Sequence, residues 1–421
     1  MKKFRLILVL IAIVLLGIFV VSKNNLIKLR INTKPNPIPD LVLVGSYQAN
    51  SKTLLLQINQ SQLLVNDISN ILANQGIIGV HEMRTLKIGN TYKAIFGTYY
   101  GGKLLIFSGP TNDLGKMTKE YGDTFGDKER VRAVYTGDLN GDGQDEIVIG
   151  TRPSGMLKIY QFINGKWASK TIDKLDETIH DVVVADTDGD GKNEIFVTTS
   201  TTPDAPDLGL PTKSAGLIEY YPGENGSWNK RVLWQPSKSA KIHPRYLFTG
   251  NFNGGSTPQV FSVIRDDIES GRYLLLESWN GSNYSQFIQP LATIKLNPDV
   301  VTSGDIDGDG ISEIVAPTMA GDALLLYKWT GSKFEQSVIT KNAVDPGPNK
   351  DNIIAITMLD RSVNGHKVLL YVVAGRADRP DSTLKFYTLI YDQSSKTWNR
   401  NKVDQKDYPV TDAWGLFPLS F

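Results

Sequence analysis

The sequence predicts an all-β protein: a seven-bladed β-propeller of four-stranded antiparallel blades, its ring closed by strands from both termini and preceded by an N-terminal hydrophobic helix. Three observations predict it. An acidic, glycine-rich stretch followed by a β-branched run recurs as "DLNGDGQDEIVIG" from Asp138, "DTDGDGKNEIFV" from Asp186 and "DIDGDGISEIVAP" from Asp305. Each copy belongs to a unit of about fifty residues whose apolar positions alternate with period two, as strands require. Finally, residues 40–68 and 412–421 hold complementary fragments of one further unit.

The elements follow in chain order. Residues 1–30 begin with basic residues and run apolar without interruption from Leu6 to Val21. Such a run is an export or anchoring element rather than part of a fold, and the absence of a small-x-small cleavage site favours an uncleaved membrane anchor over a cleaved signal peptide. Residues 31–39 carry Pro35, Pro37 and Pro39 and read as a stiffened linker. The propeller is expected over 40–421. Its clearest unit runs "VRAVYTGDL", acidic loop, "DEIVIGTR", "MLKIYQFI", then Asn164 and Gly165 as a tight hairpin before "KWASKTI". Units built on Asp186, Asn251 and Asp305 repeat the pattern, and two degenerate units flank them at 82–109 and 354–403. The seventh unit has three strands in 40–68 and lacks an innermost one, which the strand in 412–421 would supply. Closure of this kind removes the open edges of a repeat array.

Composition narrows the function. The formal net charge is +1 and no basic stripe follows the first thirty residues, so no nucleic-acid footprint is present. There are no cysteines, which excludes disulfides, thiolate catalysis and cysteine-ligated zinc. The acidic loops point elsewhere. Asp186, Asp188, Asp190 and Glu194 would repel one another in a compact loop unless water separates them or a cation neutralises them. Oxygen donors at positions 1, 3, 5 and 9 with a carbonyl at 7 suit calcium. An EF-hand is excluded, because the twelfth residues are Ile149, Val197 and Ala316 instead of a bidentate glutamate, and the flanks alternate as strands. Asp/Gly turns also form without metal; three copies in one register argue for a shared ligand.

The loop D-x-(D/N)-x-D-G-x-x-E within a four-stranded repeat resembles the FG-GAP or VCBS repeat of integrin α-chain heads and bacterial surface proteins, although the Gly-Ala-Pro tripeptide is absent. The resemblance implies three calcium ions. Their ligands by position are Asp138, Asn140, Asp142 and Glu146; Asp186, Asp188, Asp190 and Glu194; and Asp305, Asp307, Asp309 and Glu313, completed by the carbonyls of Gln144, Lys192 and Ile311. At Asn251 the carboxylates have become Asn251, Asn253, Gly255 and Gln259, so that loop should keep its turn and lose the metal.

Up-and-down topology puts the acidic loops on one face and the links between second and third strands on the other. Three of those links are expanded, at 200–216, 265–272 and 376–384. Six residues before each loop stand Arg132, His180, Arg245 and Asp299, with His81 and Asp351 or Asn352 as the counterparts in the degenerate units. These should ring the central channel on the face of the long links, where they could grip a sugar or an anionic ligand. No GxSxG, HExxH, phosphate-loop or dinucleotide motif is found, so the sequence favours a binding module over an enzyme. The expected protein is a membrane-anchored, extracytoplasmic calcium propeller with a surface-protein or glycan partner and no nucleic acid. The alternatives are a carbohydrate lyase or hydrolase on the same scaffold, and secretion after signal cleavage.

Overall fold

The computed structural model describes residues 20–22, 25–27, 40–45, 52–59, 62–109, 116–200, 216–235, 242–266, 272–291, 296–297, 299–318, 323–344, 351–374, 383–403, 408–409 and 415–419. The chain divides into two compact units, Met1–Pro39 and Asp40–Phe421. In the first, Val20–Ser22 pairs antiparallel with Asn25–Ile27. These residues are therefore extended, where the sequence led us to expect the end of a hydrophobic helix; β-branched Val20 and Val21 suit a strand as well as an apolar run. Residues 1–19, the linker 31–39 and most of the three expanded links lie outside the described residues. No described helix is long and apolar enough to cross a membrane.

The second unit is a ring of seven antiparallel sheets. Blade 1 consists of Val80–Ile88, Thr91–Thr98, Lys103–Ser108 and Thr118–Thr124. Blade 2 consists of Arg130–Gly137, Glu146–Arg152, Met156–Ile163 and Lys166–Lys174, and blade 3 of Thr178–Ala185, Glu194–Ser200, Leu217–Pro222 and Trp228–Trp234. Blade 4 follows with Ile242–Gly250, Gln259–Asp266, Arg272–Trp279 and Tyr284–Leu291, and blade 5 with Thr302–Gly304, Glu313–Pro317, Leu324–Trp329 and Phe334–Thr340. Blade 6 has Asn352–Val363, His366–Ala374, Thr383–Asp392 and Thr397–Lys402, with Tyr408–Pro409 added beside its third strand. Blade 7 is ordered Gly415–Leu419, Asp40–Gly45, Leu54–Asn59 and Gln62–Asp67, so the C-terminal strand is its innermost strand, as the split unit predicts.

Burial follows strand position. Every residue of Glu146–Arg152 and of Glu194–Ser200 is buried, because second strands are covered on both faces by neighbouring blades. Such strands read as continuous apolar runs, which is what "IVIG" after Glu146 and "IFV" after Glu194 are. Between blades 2 and 3, Val148, Leu157 and Ile159 meet Ile179, Val182 and Ile195; each such side chain contributes about 1.5–3 kcal/mol on burial. The outermost strands, such as Lys166–Lys174, are mostly exposed. Polar latches add direction to this packing. Tyr160 Oη donates to Asp123 Oδ2 (2.7 Å) on the last strand of blade 1, and Tyr220 Oη donates to Asp173 Oδ2 (2.8 Å) on the last strand of blade 2. Lys158 and Lys230 close the same latches at 2.7 and 3.0 Å.

Turn chemistry decides which blades carry long first loops. Asn164 and Gly165 both have positive φ (51° and 78°), as a two-residue hairpin of mirror-image type requires. In blade 6, Asn364 and Gly365 form the same turn between the first and second strands, in place of an acidic loop.

Candidate metal centres and channel site

In blade 3, ligand atoms of Asp186, Asp188, Asp190 and Glu194 all lie within 4.8 Å of one another. Backbone N–H groups hold the carboxylates in this arrangement. Asp186 accepts from the N–H groups of Gly189 (2.7 Å) and Gly191 (3.0 Å), Asp188 from Asp190 (3.1 Å) and Asp190 from Lys192 (2.8 Å). Gly189 and Gly191, at φ 80° and 86°, let those N–H groups turn inward. Glu194 accepts from the Thr187 N–H (2.9 Å) and hydroxyl (2.8 Å). Burial pushes the Glu194 carboxyl up to about 7, and burial also raises Asp188, with the charges of Asp190 and Asp186 acting in the same sense. Four carboxylates crowded beside a buried strand form a hard-oxygen donor set that fits calcium.

The other two loops differ. In blade 2, Asp138 accepts from Gly141 (2.8 Å) and Gly143 (2.7 Å), and Asp142 accepts from Gln144 (2.8 Å). Asn140, however, turns its amide to donate to Glu146 Oε1 (3.0 Å), so the loop holds three carboxylates and one amide. Presenting the amide oxygen there instead would cost two internal hydrogen bonds, the one to Glu146 and the one that Asn140 Oδ1 accepts from the Asp142 N–H (2.8 Å). In blade 5, Asp305, Asp307 and Glu313 converge, and Asp309 accepts from the Ile311 N–H (2.9 Å). There the Lys328 ammonium reaches the group, 2.6 Å from Asp307, 2.6 Å from Asp309 and 2.9 Å from Glu313. A cation already stands among these donors, so this loop does not fit calcium as the blade 3 loop does. The blade 4 loop keeps its turn through Gln259 Oε1, which accepts from the N–H groups of Phe252 (2.7 Å) and Asn253 (3.0 Å) as a glutamate would.

The innermost strands share a second device. Register shifts between Val80 and Glu82, Val131 and Ala133, and Ile179 and Asp181 leave His81, Arg132 and His180 as bulged residues at equivalent positions. A bulge re-aims the side chain, and here it brings the three together. Arg132 Nη1 lies 3.2 Å from His81 Nε2, while Nη2 donates to His180 Nε2 (3.1 Å) and Tyr246 Oη (3.3 Å). Arginine only donates, so His180 presents a lone pair at Nε2. Burial, followed by the charges of Arg132, Arg130 and Arg152, holds His81 well below the ordinary imidazole range. The three residues are 1–3% exposed and form a packed, interlocked cluster rather than an open ring. Arg245 and Asp299 pair separately at 2.5 Å, half-buried. In blade 6 the bulged residue is Ile354, and Asp351 instead binds Lys385 (2.9 Å).

Sequence reasoning named Asp299 for the channel but missed Glu82, Arg84 and Tyr246 beside this cluster. A channel cavity of about 540 Å³ is lined from all seven blades, with Glu82, Arg84, Asp181 and Asp299 as its charged groups and Tyr246 among its hydroxyls. Burial pushes Glu82 up to about 7 against the pull of Arg84, 3.3 Å away. Burial likewise raises Asp181 to about 6, although it accepts N–H bonds from Leu247 (2.8 Å) and Val182 (2.9 Å). The available signal was adjacency: Glu82 follows His81 as Asp181 follows His180.

Comparison with known proteins agrees with this geometry. Residues 138–197, which contain the acidic loops of blades 2 and 3, match the FG-GAP-like repeat family. No curated protein matches the chain. Among solved structures, a Bacteroides uniformis protein provisionally named a 6-phosphogluconolactonase aligns with a TM-score of 0.54 at 13% identity, over 91% of this chain and 100% of its own. The Dos1 propeller aligns with a TM-score of 0.44 at 10% identity, over 79% of this chain and 72% of its own. At such identities the first likeness speaks for the fold alone, and the second carries no argument. With the repeat match at 138–197 and seven four-stranded blades around it, the chain fits an FG-GAP-repeat β-propeller.

Proposed function

We propose that the protein is an extracytoplasmic, membrane-tethered propeller whose acidic loops bind calcium and whose rigid ring presents a ligand-binding face to a surface protein or glycan. The observation that carries the metal part is the convergence of Asp186, Asp188, Asp190 and Glu194 within 4.8 Å. Calcium supplies the positive charge that this group lacks, and ties the first hairpin of the blade to its second strand. The tethering rests on the apolar run from Leu6 to Val21. Recognition on the face of the long links rests on the general placement of binding sites in loops held by a rigid scaffold.

The test is a calcium titration of the full chain followed by thermal melting. One site at a hundredfold excess over Kd adds about 2.7 kcal/mol. For a folded unit of about 380 residues, with an unfolding entropy near 0.8 kcal/mol/K, that is about 3 °C per site. Asp186→Asn with Asp190→Asn should remove the blade 3 share of the shift, about half of it if the blade 2 loop also binds. A melting temperature indifferent to calcium and chelator would defeat the metal reading.

One observation favours a second reading. Glu82 near 7 and Asp181 near 6 line the same channel cavity, and carboxyls poised near neutrality can act as proton donor and acceptor on a carbohydrate. Turnover of an oligosaccharide that is lost in Glu82→Gln and Asp181→Asn, with folding retained, would select the lyase or hydrolase over the binding module.

A further inference from the structure

The third strand of each central blade passes its acidic loop in one register. Ile147 pairs with Tyr160, Ile195 with Tyr220, Val260 with Glu277 and Ile314 with Tyr327. The next residue along, beside the loop, is therefore Gln161, Tyr221, Ser278 or Lys328. In blades 2, 3 and 4 this residue is uncharged. In blade 5 it is a lysine, and its ammonium lies at 2.6, 2.6 and 2.9 Å from Asp307 Oδ2, Asp309 Oδ2 and Glu313 Oε1. Those are three of the carboxylates that the repeat pattern assigns to a metal.

We infer that Lys328 is the resident cation of the blade 5 loop, a tethered ammonium that takes the place of calcium, so that this loop is metal-independent while those of blades 2 and 3 are metal-dependent. The contrast rests on the calcium reading proposed for those two loops. The ammonium donates to Asp307 and Asp309 and stands in ion-pair contact with Glu313, so all three carboxylates share its charge. A divalent ion entering the same space would meet a like charge at contact distance and would have to expel the side chain into solvent. Glu313, whose side chain is fully buried, would then exchange a lysine partner for the ion. The loop needs no such exchange to hold its shape. Ile306 N–H donates to Glu313 (2.9 Å), and Gly308 and Gly310 donate to Asp305 (2.8 and 3.0 Å), the bonds made by the equivalent residues in blade 3. Covalent attachment makes the counter-charge present at every calcium concentration, which fixes blade 5 while blades 2 and 3 respond to the ion.

The experiment counts calcium bound per full-length chain, purified in detergent, by equilibrium dialysis with metal analysis, and measures melting in calcium and in chelator. Lys328→Gln should bind one calcium more than the wild type, and should melt lower than the wild type in chelator with recovery on adding calcium. Asp307→Asn in the wild-type background should leave the count unchanged, an arm that does not depend on Lys328→Gln folding. Asp186→Asn with Asp190→Asn should lower the count. Loss of an ion in Asp307→Asn, or no gain in Lys328→Gln while the Asp186 and Asp190 variant still loses one, would overturn the inference and leave the calcium reading intact. A gain in Lys328→Gln from a wild type that binds no calcium would uphold the role of Lys328 and overturn the reading for blades 2 and 3. No calcium in any variant would overturn both.

Discussion

Arg132→Met probes the cluster that closes the innermost strands together. Methionine keeps much of the arginine stem's volume and removes only the guanidinium, so packing changes least while the charge is lost. That guanidinium contacts His81, His180 and Tyr246 at 3.1–3.3 Å and faces the buried carboxyls of Glu82 and Asp181. Removing one member of a buried ionic group leaves the others uncompensated, at a cost of about 3–5 kcal/mol. At about 0.8 kcal/mol/K the melting temperature should fall by about 4–6 °C at pH 8.

The pH dependence of this loss has a definite sign. Glu82 and Asp181 have folded pKa values raised to about 7 and about 6, above their ordinary carboxyl values, so each destabilises the fold increasingly as pH rises toward those values. Loss of Arg132 raises both further, since its charge opposed the shift. Protonation relieves them at low pH, where Arg84 still faces Glu82 and Arg130 and Arg152 still face His81. The deficit in melting temperature should therefore shrink between pH 8 and pH 5 by about half. The assay is calorimetry of both proteins across that range. A deficit under about 1 °C at pH 8, or one that grows toward pH 5, would refute the assignment of Arg132 as the counter-charge of the channel.

Two further outcomes are expected. Glu194→Gln imitates Gln259 of blade 4, which accepts two loop N–H bonds without a charge; the variant should melt higher than the wild type in chelator, by about 1 °C, and bind one calcium fewer, and a lower melt in chelator would contradict the crowding argument. At the latch between blades 1 and 2, burial tends to raise Asp123, but bonds from Lys158 and Tyr160 outweigh it and hold the carboxyl below its ordinary value. Its contribution is then present above the ordinary carboxyl pKa and lost as pH falls through the depressed one, so Asp123→Asn should cost about 1–2 kcal/mol at neutral pH and progressively less below pH 4, as read by denaturant melts at each pH.

The sequence by itself determined the architecture, because the period of apolar alternation, the turn residues and the acidic loops are local properties of the chain. Asn164 with Gly165 dictates a hairpin wherever it stands, and the missing inner strand of 40–68 could be recognised in 412–421 before any pairing was known. Position counting from the loops also located His81, Arg132 and His180 on the inner strands. What it could not supply was the register of strands distant in sequence. Whether Arg132 opens into a channel mouth or locks against two imidazoles depends on bulges in three separate blades. The cation facing Asp307 and Glu313 comes from the third strand of the blade, and only the pairing of Ile314 with Tyr327 puts Lys328 there. Local pattern specifies where a donor oxygen will be; sheet register decides which charge stands beside it, since a shift of one residue would have turned Lys328 to the opposite face.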